Sequence, residues 1–66
     1  MKWFSEWWGI QLVAESESEV KLLKELNDKL DDKASTAYED GIKKESNDLM
    51  YSDTDIKPKY ILEFER

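Results

Sequence analysis

Ser16 to Lys33, SESEVKLLKELNDKLDDK, is the stretch whose reading decides the fold. Val20, Leu22, Leu23, Leu26 and Leu30 recur at three- and four-residue spacing, which stacks their side chains along one side of an α-helix. The pattern predicts a single amphipathic helix with Leu26 at the centre of its apolar stripe. Ser16 stands three residues before Glu19, as in a capping box where each side chain satisfies a backbone N–H at the helix start, and Ser18 is a rival cap. Glu17 with Lys21 and Glu25 with Lys29 are acid-first i,i+4 pairs that support the polar face. Asp31 and Asp32 oppose the helix dipole and no glycine follows them, so the helix should stop or fray near Leu30.

An apolar stripe needs a surface to lie on, and the flanking segments predict strands. On the N-terminal side, Trp8, Ile10, Leu12 and Ala14 alternate with Gly9, Gln11, Val13 and Glu15, the period of a half-buried strand. Trp3, Phe4, Trp7 and Trp8 have helical spacing, so the first eight residues are expected to form a short amphipathic turn ended by Gly9. On the C-terminal side, Pro58 forces Lys57 away from the helical region. KYILEFER, Lys59 to Arg66, then places Tyr60, Leu62 and Phe64 on one face and Ile61, Glu63 and Glu65 on the other.

The middle of the chain is less regular. Ser46-Asn47-Asp48 is a chain-reversal cluster, followed by the short apolar run Leu49-Met50-Tyr51. Ala37 to Glu45 fits an irregular strand or a turn, with Asp40-Gly41 as a candidate tight turn. The expected fold is α+β in a single small domain: one amphipathic helix packed on a three- to four-stranded antiparallel sheet, in the order β-α-β-β, with an extra weak strand near Tyr38. The expected core is Trp8, Ile10, Leu12, Val20, Leu23, Leu26, Leu30, Tyr60, Leu62 and Phe64.

Composition narrows the function classes. The 66 residues contain no cysteine and no histidine, which removes disulfides, thiolate nucleophiles, imidazole or thiolate zinc sites and the usual general base at neutral pH. Sixteen acidic against ten basic residues give a net charge of −6, which disfavours direct binding to nucleic acid or to anionic membranes. Glu6 interrupts the N-terminal apolar run, so neither a secretory leader nor a membrane span is expected, and the chain reads as cytoplasmic.

Each acidic cluster fails a specific catalytic or metal template. With Gly41 at the sixth position of a calcium loop, Thr36 and Tyr38 occupy ligand positions and the terminal glutamate is missing. Asp53-Thr54-Asp55 reads as a solvated turn, and Glu63 with Glu65 matches a glycosidase pair in residue type alone. Neither glycine lies between a strand and a helix start, so no phosphate-binding loop is present. No enzyme, cofactor or metal is expected.

Binding remains as the expected activity. The leading expectation is a non-enzymatic protein-interaction module. An acidic mimic of nucleic acid, inhibiting a basic DNA- or RNA-binding protein through Glu15, Glu17, Glu19, Asp28, Asp31 and Asp32, is the alternative, and a small structural domain is the third reading. Lys21, Lys24, Lys29 and Lys33 interrupt the acidic series, as on an ordinary soluble surface. The Lys-, Glu- and Asp-rich composition and small size resemble short reading frames of phages of low-GC bacteria, which implies an accessory or inhibitory role. Trp3, Phe4, Trp7, Val13 and Ile61 are the candidate interaction residues, being more apolar surface than one helix covers. A chain this short sits near the limit of what one core can stabilise, so a homodimer using Trp7 and an edge strand is also expected.

Overall fold

Trp7 and Trp8 form a two-residue loop between two strands, Lys2–Glu6 (β1) and Gly9–Ala14 (β2), which pair antiparallel with Glu6 opposite Gly9. The computed structural model describes residues 1–30, 33–44, 49, 55 and 57–65. The chain continues through the helix Glu17–Leu30 (α1), the strands Ala34–Glu39 (β3) and Ile42–Lys43 (β4), and the C-terminal strand Tyr60–Glu65 (β5). These strands make one antiparallel sheet in the order β1-β2-β5-β3-β4, with α1 lying mainly across β2, β5 and β3.

The α+β class is therefore observed, with five strands and the order β-β-α-β-β-β. Two segments account for the difference. The N-terminal aromatics extend as β1 rather than coiling into a helical turn, because register with β2 pairs Trp3 with Leu12 and Phe4 with Gln11 along a full ladder. Asp40-Gly41 is the tight turn between β3 and β4, with φ of 51° at Asp40 and 82° at Gly41. Both central residues of such a turn need positive φ, which Asp and Gly tolerate. The expected reversal at Ser46-Asn47-Asp48 and the expected strand Leu49-Met50-Tyr51, apart from Leu49 itself, lie outside the described residues.

Helix α1 begins as its capping residues predict. The Glu19 N–H donates to Ser16 Oγ at 3.4 Å, and the Glu15 N–H donates to Glu19 Oε1 at 2.8 Å, one residue upstream of the usual capping-box partner. Glu19 Oε2 also accepts from the N-terminal ammonium of Met1 at 2.7 Å. These contacts, the ammonium first, hold the Glu19 carboxyl below the usual carboxylate range.

The sheet is buried on both faces. Facing the helix, Ala14, Leu23, Tyr60 and Leu62 form a buried cluster, with Leu12, Val20, Leu26, Ala34 and Phe64 packed around it. Leu23, at 1% exposure, is the centre of the helix stripe, whereas Leu26 is partly buried and Leu22 is 57% exposed. Of the other expected core residues, Trp8, Ile10 and Leu30 are also partly buried. On the opposite face Val13, Ala37 and Ile61 are fully buried, with Phe4, Tyr38 and Leu49 against them. This second core is absent from the sequence reading, which leaves that face open.

A bulge in β3 serves both cores at once. Thr36 pairs with Leu62 and Tyr38 with Ile61, so Ala37 is the extra residue. Ala37 and Tyr38 consequently both join the second core. Thr36 and Glu39, of opposite parity, both reach toward the helix side, where Thr36 Oγ1 lies 2.6 Å from the Tyr60 hydroxyl and Glu39 accepts from Lys24 of α1.

Candidate functional site

Of the large apolar side chains exposed among the described residues, Leu22 on α1 and Ile42 on β4 stand apart, and Met1, Trp3 and Trp7 belong to the β1–β2 hairpin or the residue just before it. Trp7 leads the loop with 84% of its surface exposed, and Trp3 on β1 is 65% exposed. Cross-strand register sets what surrounds them: Trp3, Leu12 and Leu62 are successive neighbours on the helix side, as are Ser5, Ile10 and Phe64. Because α1 lies over β2, β5 and β3, Trp3 stands beyond its cover, and among the described residues the end of the sheet near the loop is open as well. There Gly9, Ile10, Leu12, Phe64 and Glu65 line a hollow of about 410 Å³ with mostly carbon walls.

Gly9 is required at the rim of this hollow. A Cβ at that position would stand 1.9 Å from the Phe64 carbonyl oxygen, so β2 and β5 approach here at a distance only glycine permits.

The five expected interaction residues therefore separate. Trp3 and Trp7 are exposed and Phe4 is half-buried, but Val13 and Ile61 are fully buried beneath the second core, where Phe4, Tyr38 and Leu49 pack. Val13 and Ile61 are thus not on the surface, and the expected patch is corrected to the hairpin and its hollow. Trp7 projects from the loop into solvent. Alternation places Ile10, Leu12 and Phe64 in the core and gives no sign of their share in an open hollow, because no local signal separates the covered end of a strand from its open end.

The acidic residues are distributed differently from a continuous phosphate-like row. Glu19 is held at the helix start by the Met1 ammonium, and Glu17 accepts from Lys59 Nζ at 3.3 Å. Glu15 is half-buried and Asp28 is exposed near the other end of α1, while Asp31 and Asp32 lie outside the described residues. Glu63, placed by alternation on an outer face, is 3% exposed and accepts from Gln11 Nε2 at 3.0 Å. Its strand neighbour Glu65 is exposed, so only one carboxylate of the two is open to solvent.

A second, polar hollow of about 290 Å³ lies between α1 and the β3–β4 turn, lined in part by Glu17, Lys24, Glu39, Asp40 and Lys59. Each of its two lysines is paired. Lys24 Nζ is 2.8 Å from Glu39 Oε2 and 5.7 Å above the Tyr60 ring, and Lys59 reaches Glu17. The bond from Lys24 holds the Glu39 carboxyl below the usual range, and Glu39 in turn raises the Lys24 ammonium.

Comparison with protein-family models, with characterised proteins and with solved structures finds no match. Among the described residues no helix is long and apolar enough to cross a membrane.

Proposed function

We propose that this chain is a non-enzymatic protein-interaction module whose contact surface is the β1–β2 hairpin and the apolar hollow beside it. The observation that supports it is the exposure of Trp3 and Trp7 next to a carbon-lined depression, in a chain short of residues for a core. Tryptophan placed in water is costly and is enriched at the energetic centres of protein interfaces. The hollow offers a pocket for an apolar side chain of the partner, and the tryptophans offer anchors for the partner's own pockets. An acidic mimic of nucleic acid is less well supported, because Glu17 and Glu19 are engaged within the molecule.

Site-specific photo-cross-linking in the native host tests the proposal. A cross-linker at position 7 should capture a defined protein that one at Asp28 does not, and Trp3→Ala should reduce that capture. Equal capture from both positions would mean that the hairpin is not the contact surface.

A further inference from the structure

The chain carries both halves of one contact on separate parts of its sheet, and we infer that copies associate head to tail, with Ile42-Lys43-Lys44 of one copy entering the apolar hollow of the next. This rests on the reading of the hairpin and its hollow as a contact surface and names a second copy as one partner. The contact is made by exposed side chains and needs no free strand edge.

The first half is the hollow. Register puts Glu6, Gly9 and Glu65 in one row at the end of the sheet, so an acidic residue stands one strand spacing, about 4.8 Å, to either side of a glycine. Glu65 also lines the hollow and is the only charged residue among its described lining residues. Neither Glu6 nor Glu65 enters an ion pair among the described residues, whereas Glu17, Glu19 and Glu39 are each paired. Lys33 shares a smaller hollow with Glu65 but does not pair with it. An apolar side chain next to a cation therefore suits the carbon walls and the acidic row together.

The second half is β4. Ile42 is 60% exposed, and Lys43 and Lys44 after it are exposed as well. The Lys44 N–H donates to the Ala37 carbonyl at 2.9 Å, so the backbone of this segment is held to β3 while its side chains stay in water. Neither lysine enters an ion pair among the described residues. Leu22, the other exposed aliphatic side chain, has Glu19 and Glu25 three residues to either side on the helix surface, and an acidic hollow repels that arrangement.

Topology makes the contact head to tail. Ile42 pairs with Glu39 and Glu39 with Tyr60 at the start of β5, whereas the hollow adjoins Phe64 and Glu65 at its end. Two unlike surfaces at opposite ends of one sheet do not close on a pair of copies; they repeat from copy to copy. Charge decides the occupant and its orientation. Each copy carries a net charge of −6, so copies repel one another wherever no local match exists. At physiological salt that repulsion is screened beyond about 8 Å, whereas lysines in contact with unpaired carboxylates still attract.

Sedimentation velocity from micromolar to millimolar concentration tests this with two charge-reversed variants. The wild-type average mass should rise continuously with concentration and pass that of a dimer. Lys43→Glu with Lys44→Glu, and separately Glu6→Lys with Glu65→Lys, should each weaken association on the order of ten-fold, because like charges then face one another. The second of these variants has a smaller net charge than the wild type, so a general loss of repulsion would strengthen its association instead. An equimolar mixture of the two should associate as tightly as the wild type, since every hollow then meets a tail of opposite sign. Ile42→Ser, which keeps every charge, should also weaken association, on the order of ten-fold. Nuclear magnetic resonance of the wild type needs no variant to fold: the amide signals of Ile42 and Lys43 should move together with those of Gly9, Ile10 and Phe64 as concentration rises. A monomer at every concentration, an average mass that stops at the dimer, or a mixture no tighter than its components overturns the inference. A monomer that still captures another protein through position 7 overturns the self-association alone and leaves the module reading standing.

Discussion

Gln11 and Glu63 stand directly opposite one another on the two central strands of the sheet, the amide Nε2 donating to the carboxylate Oε1 at 3.0 Å. Both are essentially closed to solvent, Gln11 at 0% and Glu63 at 3% exposure. A hydrogen bond to a charged acceptor contributes more than a neutral one, and burial raises the cost of losing it. Gln11→Leu should therefore destabilise the fold by about 1.5–3 kcal/mol in urea unfolding. Adding Glu63→Leu should cost less than the sum of the two single changes. Strict additivity of the two would show that the pair is not coupled.

The helix stripe gives a second, graded expectation. Leu23 is enclosed by the sheet while Leu22 faces water. Leu23→Ala should cost about 2–5 kcal/mol, a large part of the stability of so small a domain. Leu26→Ala should cost less, because Leu26 is only partly buried. Leu22→Ala should stay within about 0.5 kcal/mol. Thermal midpoints of the three variants would reverse this order if the helix were rotated toward the facing expected from sequence.

That facing shows what local pattern conveys. The helix, its start at Ser16, its end near Leu30 and the strands Gly9–Ala14 and Tyr60–Glu65 follow from spacing and capping alone. β1 was hidden because Trp3, Phe4, Trp7 and Trp8 fit a helical period and a strand equally well over so few residues. The β3 strand was obscured by its bulge, since Thr36 and Glu39 face one side and Ala37 and Tyr38 the other. The second core did leave a signal. Tyr60-Ile61-Leu62 and Leu12-Val13-Ala14 are unbroken apolar runs, which mark strands buried on both faces, and the alternation around them drew the reading to one face. Of the site, Trp3 and Trp7 are legible as apolar excess, whereas a one-face pattern puts Val13 and Ile61 on the surface although both are buried.

The two glycines separate steric from torsional requirements. At Gly41 an added Cβ meets nothing within 4 Å, so Gly41→Ala should cost only the strain of positive φ, about 1–2 kcal/mol. At Gly9 the Cβ would run into the Phe64 carbonyl, and the backbone of β2 would have to leave β5. Gly9→Ala should be the more destabilising change and should loosen amide exchange at Ile10 and Phe64. Equal midpoints for the two variants would place the β2–β5 approach wider than it is here.

The pair Lys24–Glu39, which ties α1 to β3, predicts a pH dependence with a defined sign. Glu39 has its folded-state pKa lowered, chiefly by the bond from Lys24. Its contribution to stability is therefore fully present above the unfolded carboxylate value of about 4.3 and is lost as pH falls through the lowered folded value. Lys24 is raised by the same bond, so its contribution holds below the unfolded value of about 10.4 and is lost as pH rises through the raised one. Glu19 also has a lowered pKa, so total stability in acid reports more than one group. The difference between wild type and Glu39→Gln isolates the pair. That difference should favour the wild type at neutral pH, shrink through the acidic window and close once Glu39 is protonated in the folded state. Both partners are partly exposed, so added salt should reduce the neutral-pH difference. A difference between wild type and Glu39→Gln that stays constant from neutral pH into acid would show that Lys24 and Glu39 are adjacent without being coupled.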